Sequence, residues 1–569
     1  LPNRTYTVRF ENITEVKDDP REVVFLYHER SKHDYQRFAP SLGYLDWSSQ
    51  PASFRSFKNA ERISLPVPVE DQTPPWPEVF SKQKSDKELT SDTLSDFLYY
   101  SAAVSAWREY GGTYWALRVN PSSGNLHPTE FYLLLPPLSG WSSQAGVFHY
   151  CPKDHSLEKR AGLDQKMWDQ LTGSLPEGSF LLATSSVHWS EAWKYGERAY
   201  RYCQQDLGHA LGALRIAAAM QGWSMRLIDR ISDDALAALT GINRVEDFPL
   251  REPETPGFLI VIYPEDEQLQ EEWTPAAESI EGISQGQWFG KADQLSPAHH
   301  NWKMIEVISD ACKKENDRPE PEAGQGLAPC GKDRAPGWMV HPEGVSSGHI
   351  VRSRRSAQQV DPGGTLSREA FLTILGRLVP KLNRIPWDCR DWPAVVHVAL
   401  FVHSVEGLDS GLYLLLRDET REDILRGCLD IGFTWERPPD IPSGLPLYLL
   451  GRGNLRNRIS NFCCRQEIAG QGVFACAMLA EFEGPILVHG AHWYRRLFWE
   501  AGMIGQMLYL EAEAQGMRGT GIGCYFDDPT HWLFGISGRT IQSLYHFTAG
   551  VPVADPRAAI LPAYPPPLE

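Results

Sequence analysis

The sequence predicts an α+β protein made of two repeats of one α+β unit, fused so that they imitate the two subunits of a symmetric dimer. Three observations predict it. Residues 200–222 read YRYCQQDLGHALGALRIAAAMQG and residues 494–516 read YRRLFWEAGMIGQMLYLEAEAQG. Each opens on Tyr-Arg, with a glycine eight residues on (Gly208, Gly502) and another fourteen beyond it (Gly222, Gly516). Leu211, Leu214 and Ala218 in one stretch, and Met507, Leu508 and Ala512 in the other, recur at helical spacing, and the small residues let another backbone come close. Second, the same order of elements precedes each stretch: a helix (about 92–108, or 367–379), a proline-containing turn, then a strand (131–135, or 395–403). Third, residues 313–348 are rich in Pro, Gly and charge and have no apolar period, which marks a linker. The expected division is therefore 1–312, a linker over 313–348, and 349–569. Two copies in one chain can reproduce the interface of a dimer.

The bulk composition fits this. A chain of 569 residues exceeds one ordinary core, and 42% hydrophobic with 11% aromatic residues marks a folded protein. The net charge of −17, from 55 basic and 72 acidic residues, argues against nucleic acid and anionic membrane as partners. It leaves room for a local basic pocket that takes a small anion. No run of 18 apolar residues occurs, as a membrane-spanning helix would need. The first residues, LPNRTYTVRF, lack the basic-then-apolar order of a secretory signal and an initiating Met, so a trimmed or processed chain is expected. The sequons at Asn3 and Asn12 match a pattern that arises readily by chance, and their use is not expected. Ten cysteines are spread along the chain without a CxxC pair, and Cys463 and Cys464 are adjacent. This suggests neither a disulfide framework nor a zinc site, and fits reduced thiols in a cytoplasm.

Four stretches carry chemistry. The turn RVNPSSGNLHPTE (118–130) offers the hydroxyls of Ser122 and Ser123 and the amide of Asn125. Gly124 supplies conformational freedom there, and Pro121 and Pro128 supply stiffness. Many surface turns look like this. RSRRSAQQVD (352–361) places Arg352, Arg354, Arg355 and Ser356 together. Arginine forks grip phosphate oxygens in pairs, so this is either an anion pocket or a solvated basic loop. MRGTGIGCYFDD (517–528) has Gly519, Gly521 and Gly523 around Thr520 and Ile522, a spacing that brings backbone N–H groups to a planar or anionic ligand. It is not a dinucleotide-binding fingerprint, because the spacing is wrong and it follows a helix. Finally, WSEAWKYGERAYRY (189–202) sets Lys194 beside Tyr195, which is either a proton-transfer pair or an ordinary charged helix terminus.

Together these stretches resemble the nitroreductase-like flavoproteins, specifically the SagB/ThcOx-type dehydrogenases with two tandem halves. YHERSKHDYQRF (27–38) with LDWSSQPASFRSF (45–57) resembles that family's N-terminal signature, and RVNPSSGNLHPTEFYL, KYGERAYRY, RRSAQ and GTGIGCYFDD match in order. The resemblance implies FMN held between two nitroreductase units. It places the phosphate on an R-x-S motif at Arg354 and Ser356, the Pro121, Ser122, Ser123 and Asn125 loop against the flavin from the other half, and Gly519–Gly523 along the ring. Gln358 stands where relatives often carry a basic residue, so Arg352 or Arg355 would have to compensate. In azoline-oxidising relatives a Lys-Tyr pair is implicated in removing a substrate proton, and Lys194 and Tyr195 match it.

One consequence is specific to this chain. A symmetric dimer would hold two flavins, but the second-half turn, NRIPWDCRDW (383–392), lacks Ser-Ser-Gly-Asn. The first half has MRLID (225–229) instead of GTGIG, and its nearest clamp, HERSKH (28–33), has one Arg. One FMN per chain is expected, at the interface of the halves. The implied activity is two-electron dehydrogenation of a small or peptide-like heterocycle, with O₂ or another acceptor reoxidising the flavin. The alternatives are an NAD(P)H-dependent nitro or quinone reductase and a non-catalytic scaffold of a peptide-modifying complex. A metal hydrolase finds no ligand spacing in His299, His300 or His531. The chain is expected to be a pseudo-dimeric monomer or a homodimer.

Overall fold

The computed structural model describes residues 19–81, 87–139, 141–270, 273–315, 337–341, 343–381 and 383–567. The two sequons, and residues 316–336 and 342 of the expected linker, lie outside them.

Each half is built on one antiparallel sheet, and the two sheets share a strand order. In the first half the strands run Ser156–Leu163, Ala145–Cys151, Thr129–Leu135, Phe180–Ser186, Thr255–Pro264, Trp223–Ile228, with a short strand, Arg62–Ser64, added at one edge. In the second they run Leu447–Arg452, Gly411–Leu415, Val396–Val402, Phe474–Glu481, Ile541–Gly550, Arg518–Ile522. Helices cover both faces of each sheet, so central strands such as TEFYLLL (129–135) and VHVALFV (396–402) are buried throughout. That is why they read as unbroken apolar runs and not as alternating ones. One hydrophobic core fills the space between the sheets and contains both long helices, and two smaller cores lie on the outer faces.

The long helices, Ala199–Gln221 and Trp493–Ala514, are the ones expected from the repeat. They pack against each other, and the matched glycines explain how closely. A Cβ on Gly208 would collide with the backbone of Trp499, and a Cβ on Gly502 with the backbone of Gln205. Gly222 and Gly516, both at φ +72°, end the two helices in the left-handed conformation that glycine favours. The crossing is reciprocal in its charges too. Arg201 donates to Asp527 at 2.8 Å, and its counterpart Arg495 donates to Asp233 at 2.9 and 3.0 Å. In each case the carboxylate opens a short helix of the other half, Asp527–Phe534 or Asp233–Thr240. Buried pairs of this kind add little net stability, but removing one partner strands the other charge at a cost of about 3–5 kcal/mol.

One expectation is corrected. The helix expected over 92–108 ends at Tyr99, and Val104–Tyr110 with Thr113–Arg118 forms an antiparallel hairpin. Gly111 and Gly112 both have positive φ at its turn. Val, Trp, Tyr and Thr flanking a Gly-Gly pair favour strands, and here they outweigh the helical spacing. The hairpin gains a third strand from the far end of the chain, Ala559–Leu561. A short helix, Ser347–Ser353, precedes Arg354, and the helix expected over 367–379 spans Arg368–Leu378.

Candidate functional site

A cavity of about 590 Å³ opens where the halves meet. That falls in the size range of cofactor and small-molecule sites, roughly 300–1,000 Å³. The first half contributes the 118–127 turn, Tyr195, Tyr202, Asp206 and His209, and the second contributes 354–359, Tyr509, 520–524 and Tyr545. Of the residues singled out in the sequence, Pro121, Ser122, Ser123, Asn125, Tyr195, Arg354, Arg355, Ser356, Gln358, Thr520, Gly521, Ile522 and Gly523 all line it. They are drawn from four stretches up to about 400 residues apart, which the interlocked halves bring together.

The turn is held from below. Gly124 (φ +60°), Asn125 (φ +62°) and His127 (φ +52°) take left-handed backbone, which is costly for the two non-glycine residues. Side chains hold that geometry in place. Ser122 Oγ accepts from the His127 amide at 2.8 Å and donates to Glu191 at 3.2 Å, while the Ser123 amide donates to Asp206 at 3.1 Å. Asn125 Nδ2 donates to the Ala116 carbonyl at 2.8 Å. The polar groups that looked free in the sequence thus brace the turn from inside.

Cations gather along the cavity beside the turn. Arg118 and Arg354 are buried, Arg354 donating to the Arg118 carbonyl at 2.7 Å, and neither pairs with a carboxylate among the described residues. Arg118 Nε and Nη1 and Arg354 Nε have no hydrogen-bond partner among the described residues. Burial lowers both guanidinium pKa values. Burial, then the neighbouring Arg354 and Arg352, push Arg355 down to about 9. Arg518 stands nearby on the same cavity. Buried charge without a counter-charge is expensive, and an anion in the cavity relieves it. Arg352, expected among these cations, turns away from the cavity. Its guanidinium lies 3.7 Å from the centre of the Tyr99 ring and donates to the Val104 carbonyl at 2.8 Å. Gln358 accepts from Arg108 at 2.5 Å, and Ser356 Oγ lies 2.9 Å from Tyr509 Oη.

The glycine-rich stretch is the edge strand Arg518–Ile522 and its continuation. Gly519, Gly521 and Gly523 are glycines for an aromatic reason. A Cβ would collide with the rings of Phe547, Tyr545 and Tyr202 respectively. Gly521 and Gly523 line the cavity, and Gly519 lies behind them and accepts from the Ala357 amide at 2.9 Å.

Lys194 and Tyr195 end the helix His188–Tyr195, and both reach the turn. A Cβ placed on Gly124 would meet Tyr195 Oη at 2.6 Å and Lys194 Nζ at 3.2 Å, so the missing side chain at position 124 is what admits the pair. Tyr195 packs edge-on against Tyr202, with ring centres 4.7 Å apart. Burial, and then the Glu191 carboxyl, hold the Tyr195 hydroxyl well above its ordinary pKa, so it is a neutral phenol.

No motif marks Glu191 and Asp206, which sit beneath the turn. Burial pushes Asp206 up to about 7, and burial with the Asp206 charge beside it pushes Glu191 well above the carboxylate range. The two carboxyls therefore hold one proton between them near neutrality. The unfolded chain releases that proton near pH 4. Between there and about pH 7 the folded state binds more protons than the unfolded one, so this pair's contribution to stability falls as pH rises. Gln at 191 can donate to Asp206 permanently. Glu191→Gln is therefore expected to remove a decline on the order of 2–4 kcal/mol between pH 4 and 7. Urea unfolding of both proteins at the two pH values checks it, and equal slopes would contradict the shared proton.

The C-terminal segment was also missed. Pro552, Val553, Asp555, Arg557 and Ile560 wall the cavity, placed there by the strand Ala559–Leu561. Its composition resembles that of any polar tail, and only the pairing reveals the role.

The position related to this cavity by the repeat is closed. A space of about 30 Å³ remains beside the strand Trp223–Ile228. Lys314 and Arg496 both pair with Asp229 there. Glu500, six residues after Tyr494 as Asp206 is after Tyr200, is bound by Arg417 and lies 3.7 Å from Arg390. HERSKH (28–33) is likewise committed, with Arg30 on Glu197 and Lys32 on Asp528. Among the described residues no group of three or more His, Cys, Asp and Glu could hold a metal, and no helix is long and apolar enough to cross a membrane.

No family model matches the chain. A relative from Methanocaldococcus jannaschii, provisionally named a nitroreductase, is 22% identical over 184 residues, 30% of this chain and 86% of its own length. A crystal structure from Anabaena variabilis, also provisionally named a nitroreductase, superposes with a TM-score of 0.66 at 20% identity, over 93% of this chain and 99% of that one. The FMN-dependent nitroreductase NfnB of Mycobacterium smegmatis, solved with NADPH, overlaps 36% of this chain and 86% of that one at a TM-score of 0.18 and 14% identity, too slight to carry weight. The chain has the nitroreductase fold.

Proposed function

We propose that the chain is an FMN-dependent oxidoreductase with a single flavin site in the cavity between its halves. The observation that carries this is the pair of buried cations without a carboxylate partner among the described residues, Arg118 and Arg354, with Arg355 beside them, lining a cavity that the nitroreductase fold forms between its units. These residues fit FMN. Arg354, Arg355 and Arg518 would take the phosphate, and the 121–125 turn with Gly521 and Gly523 would flank the ring. FMN, when bound, supplies reversible two-electron chemistry.

The chain's own residues then position and move a proton. Tyr195 is a neutral phenol, so it can give a hydrogen bond or a proton but does not serve as the base. Lys194 reaches the same face of the turn, and the accepting role is assigned to it on that position. Glu191 and Asp206 fix the turn that both side chains lean on. A base beside a two-electron acceptor suits removal of a proton from a C–H flanked by a heteroatom, and thus dehydrogenation of a small or peptide-like heterocycle. Reconstitution with FMN tests the reading. A yellow protein that is reduced anaerobically by a thiazoline or oxazoline substrate is expected. A protein that stays colourless contradicts the flavin, and one reduced by NADH or NADPH alone contradicts the dehydrogenase reading in favour of a nitro- or quinone-type reductase.

A further inference from the structure

Cys524 follows the glycine-rich strand directly and lines the cavity, and its Sγ lies 2.6 Å from the Sγ of Cys464, sixty residues earlier in the chain. Cys464 and Arg465 both take left-handed backbone, at φ +52° and +62°, and that turn presents Cys464 to Cys524. The next residue, Gln466, donates from its side chain to the Cys524 carbonyl at 3.2 Å, tying the two segments together. Both cysteines are partly exposed, whereas neighbouring Cys463 is buried with its Sγ 3.4 Å from His546 Nδ1. On the other side, the Arg198 guanidinium donates to the Gly523 carbonyl at 3.1 Å. Two thiols in contact, one of them on the cavity wall, beside a fixed cation, have no packing role that needs sulfur.

We propose that Cys464 and Cys524 form a reversible dithiol–disulfide couple that exchanges with low-molecular-weight disulfides, a second two-electron site on the wall of the cavity. Cys524 is the attacking thiol. The contact with Cys464, and the Arg198 charge against the opposing pull of burial, hold its pKa below the ordinary cysteine value, which favours the nucleophilic thiolate. The Cys524 thiolate attacks one sulfur of the small disulfide, forming a mixed disulfide and releasing one thiolate. Cys464 then gives up its proton and attacks the Cys524 sulfur, closing the protein disulfide and releasing the second thiolate. Two electrons pass from the protein to the small disulfide, and the two cysteine protons end on the two thiol products.

The test holds the full-length protein, before and after FMN addition, in glutathione buffers of graded redox ratio. It then alkylates the free thiols and maps the peptides. A single reversible transition that removes two of the ten thiols and links Cys464 to Cys524 is expected. Cys464→Ser should stop at one glutathione on Cys524, and Cys524→Ser should take none at Cys464 at a comparable rate. Full alkylation of both residues in the most oxidising buffer, or a disulfide that joins another pair, would overturn the proposal. If Cys524→Ser fails to fold, the wild-type map and Cys464→Ser decide. The outcome does not depend on the flavin. A colourless protein that shows the transition supports the couple while counting against FMN, and a flavin-loaded protein without it overturns the couple alone.

Discussion

Replacing Arg354 with alanine is expected to weaken FMN binding by about 30-fold or more while leaving the folded chain as stable as before, or more so. The two effects have one cause. Arg354 is buried against Tyr509, its ring centre 5.0 Å away, and among the described residues it has a single hydrogen bond, to the Arg118 carbonyl, and an Nε without a partner. In the apoprotein that charge is a cost, because burial disfavours it and no carboxylate answers it. With a phosphate in the cavity the same guanidinium becomes half of a charge-assisted fork, and losing one side of such a contact costs about 2–5 kcal/mol. Flavin titration and urea unfolding of the apoprotein check both halves of the prediction. A variant that binds FMN as wild type does would remove Arg354 from the site. A variant that unfolds would show that the arginine serves the fold.

Lys194→Ala is expected to retain FMN and to lose turnover by roughly 10²–10⁴-fold, the usual worth of a positioned general base. Nothing in the brace of the turn depends on Lys194, since Ser122, Ser123 and Asn125 are held by Glu191, Asp206 and the Ala116 carbonyl. Tyr195→Phe should also keep the flavin and lose activity less severely, because the neutral phenol orients where the amine accepts. Steady-state rates alongside flavin content separate these outcomes. A fully active Lys194→Ala protein would end the proton-transfer assignment.

Much of the fold was legible because the repeat is written in residues with a steric cause. Gly208 and Gly502 stand where two helix backbones meet, and Gly222 and Gly516 where the helices stop, so matched glycines reported matched geometry. The helix expected over 92–108 runs past its true end at Tyr99 into the hairpin at 104–118, whose clearest local mark is the turn at Gly111-Gly112. In the site, short motifs carried Arg354, the 121–125 turn and Gly521. The glycines of the 519–523 stretch also answer to Phe547, Tyr545 and Tyr202, a constraint that the spacing alone does not reveal. Arg352 shares its motif with Arg354 but points elsewhere, because the helix Ser347–Ser353 turns it onto Tyr99. Glu191, Asp206, Cys464 and the C-terminal wall had no local signal at all. Their roles come from contacts across 15 to several hundred residues of chain, and a single sequence does not record such pairings.

The same asymmetry bears on the central claim. Arg496 on Asp229, Lys314 on Asp229 and Arg417 on Glu500 fill in the second position what the first leaves open. Flavin titration of the apoprotein, with the chain concentration fixed by amino-acid analysis, measures the difference directly. Saturation at one FMN per chain is the expected result, and binding of a second equivalent would contradict a single interface site.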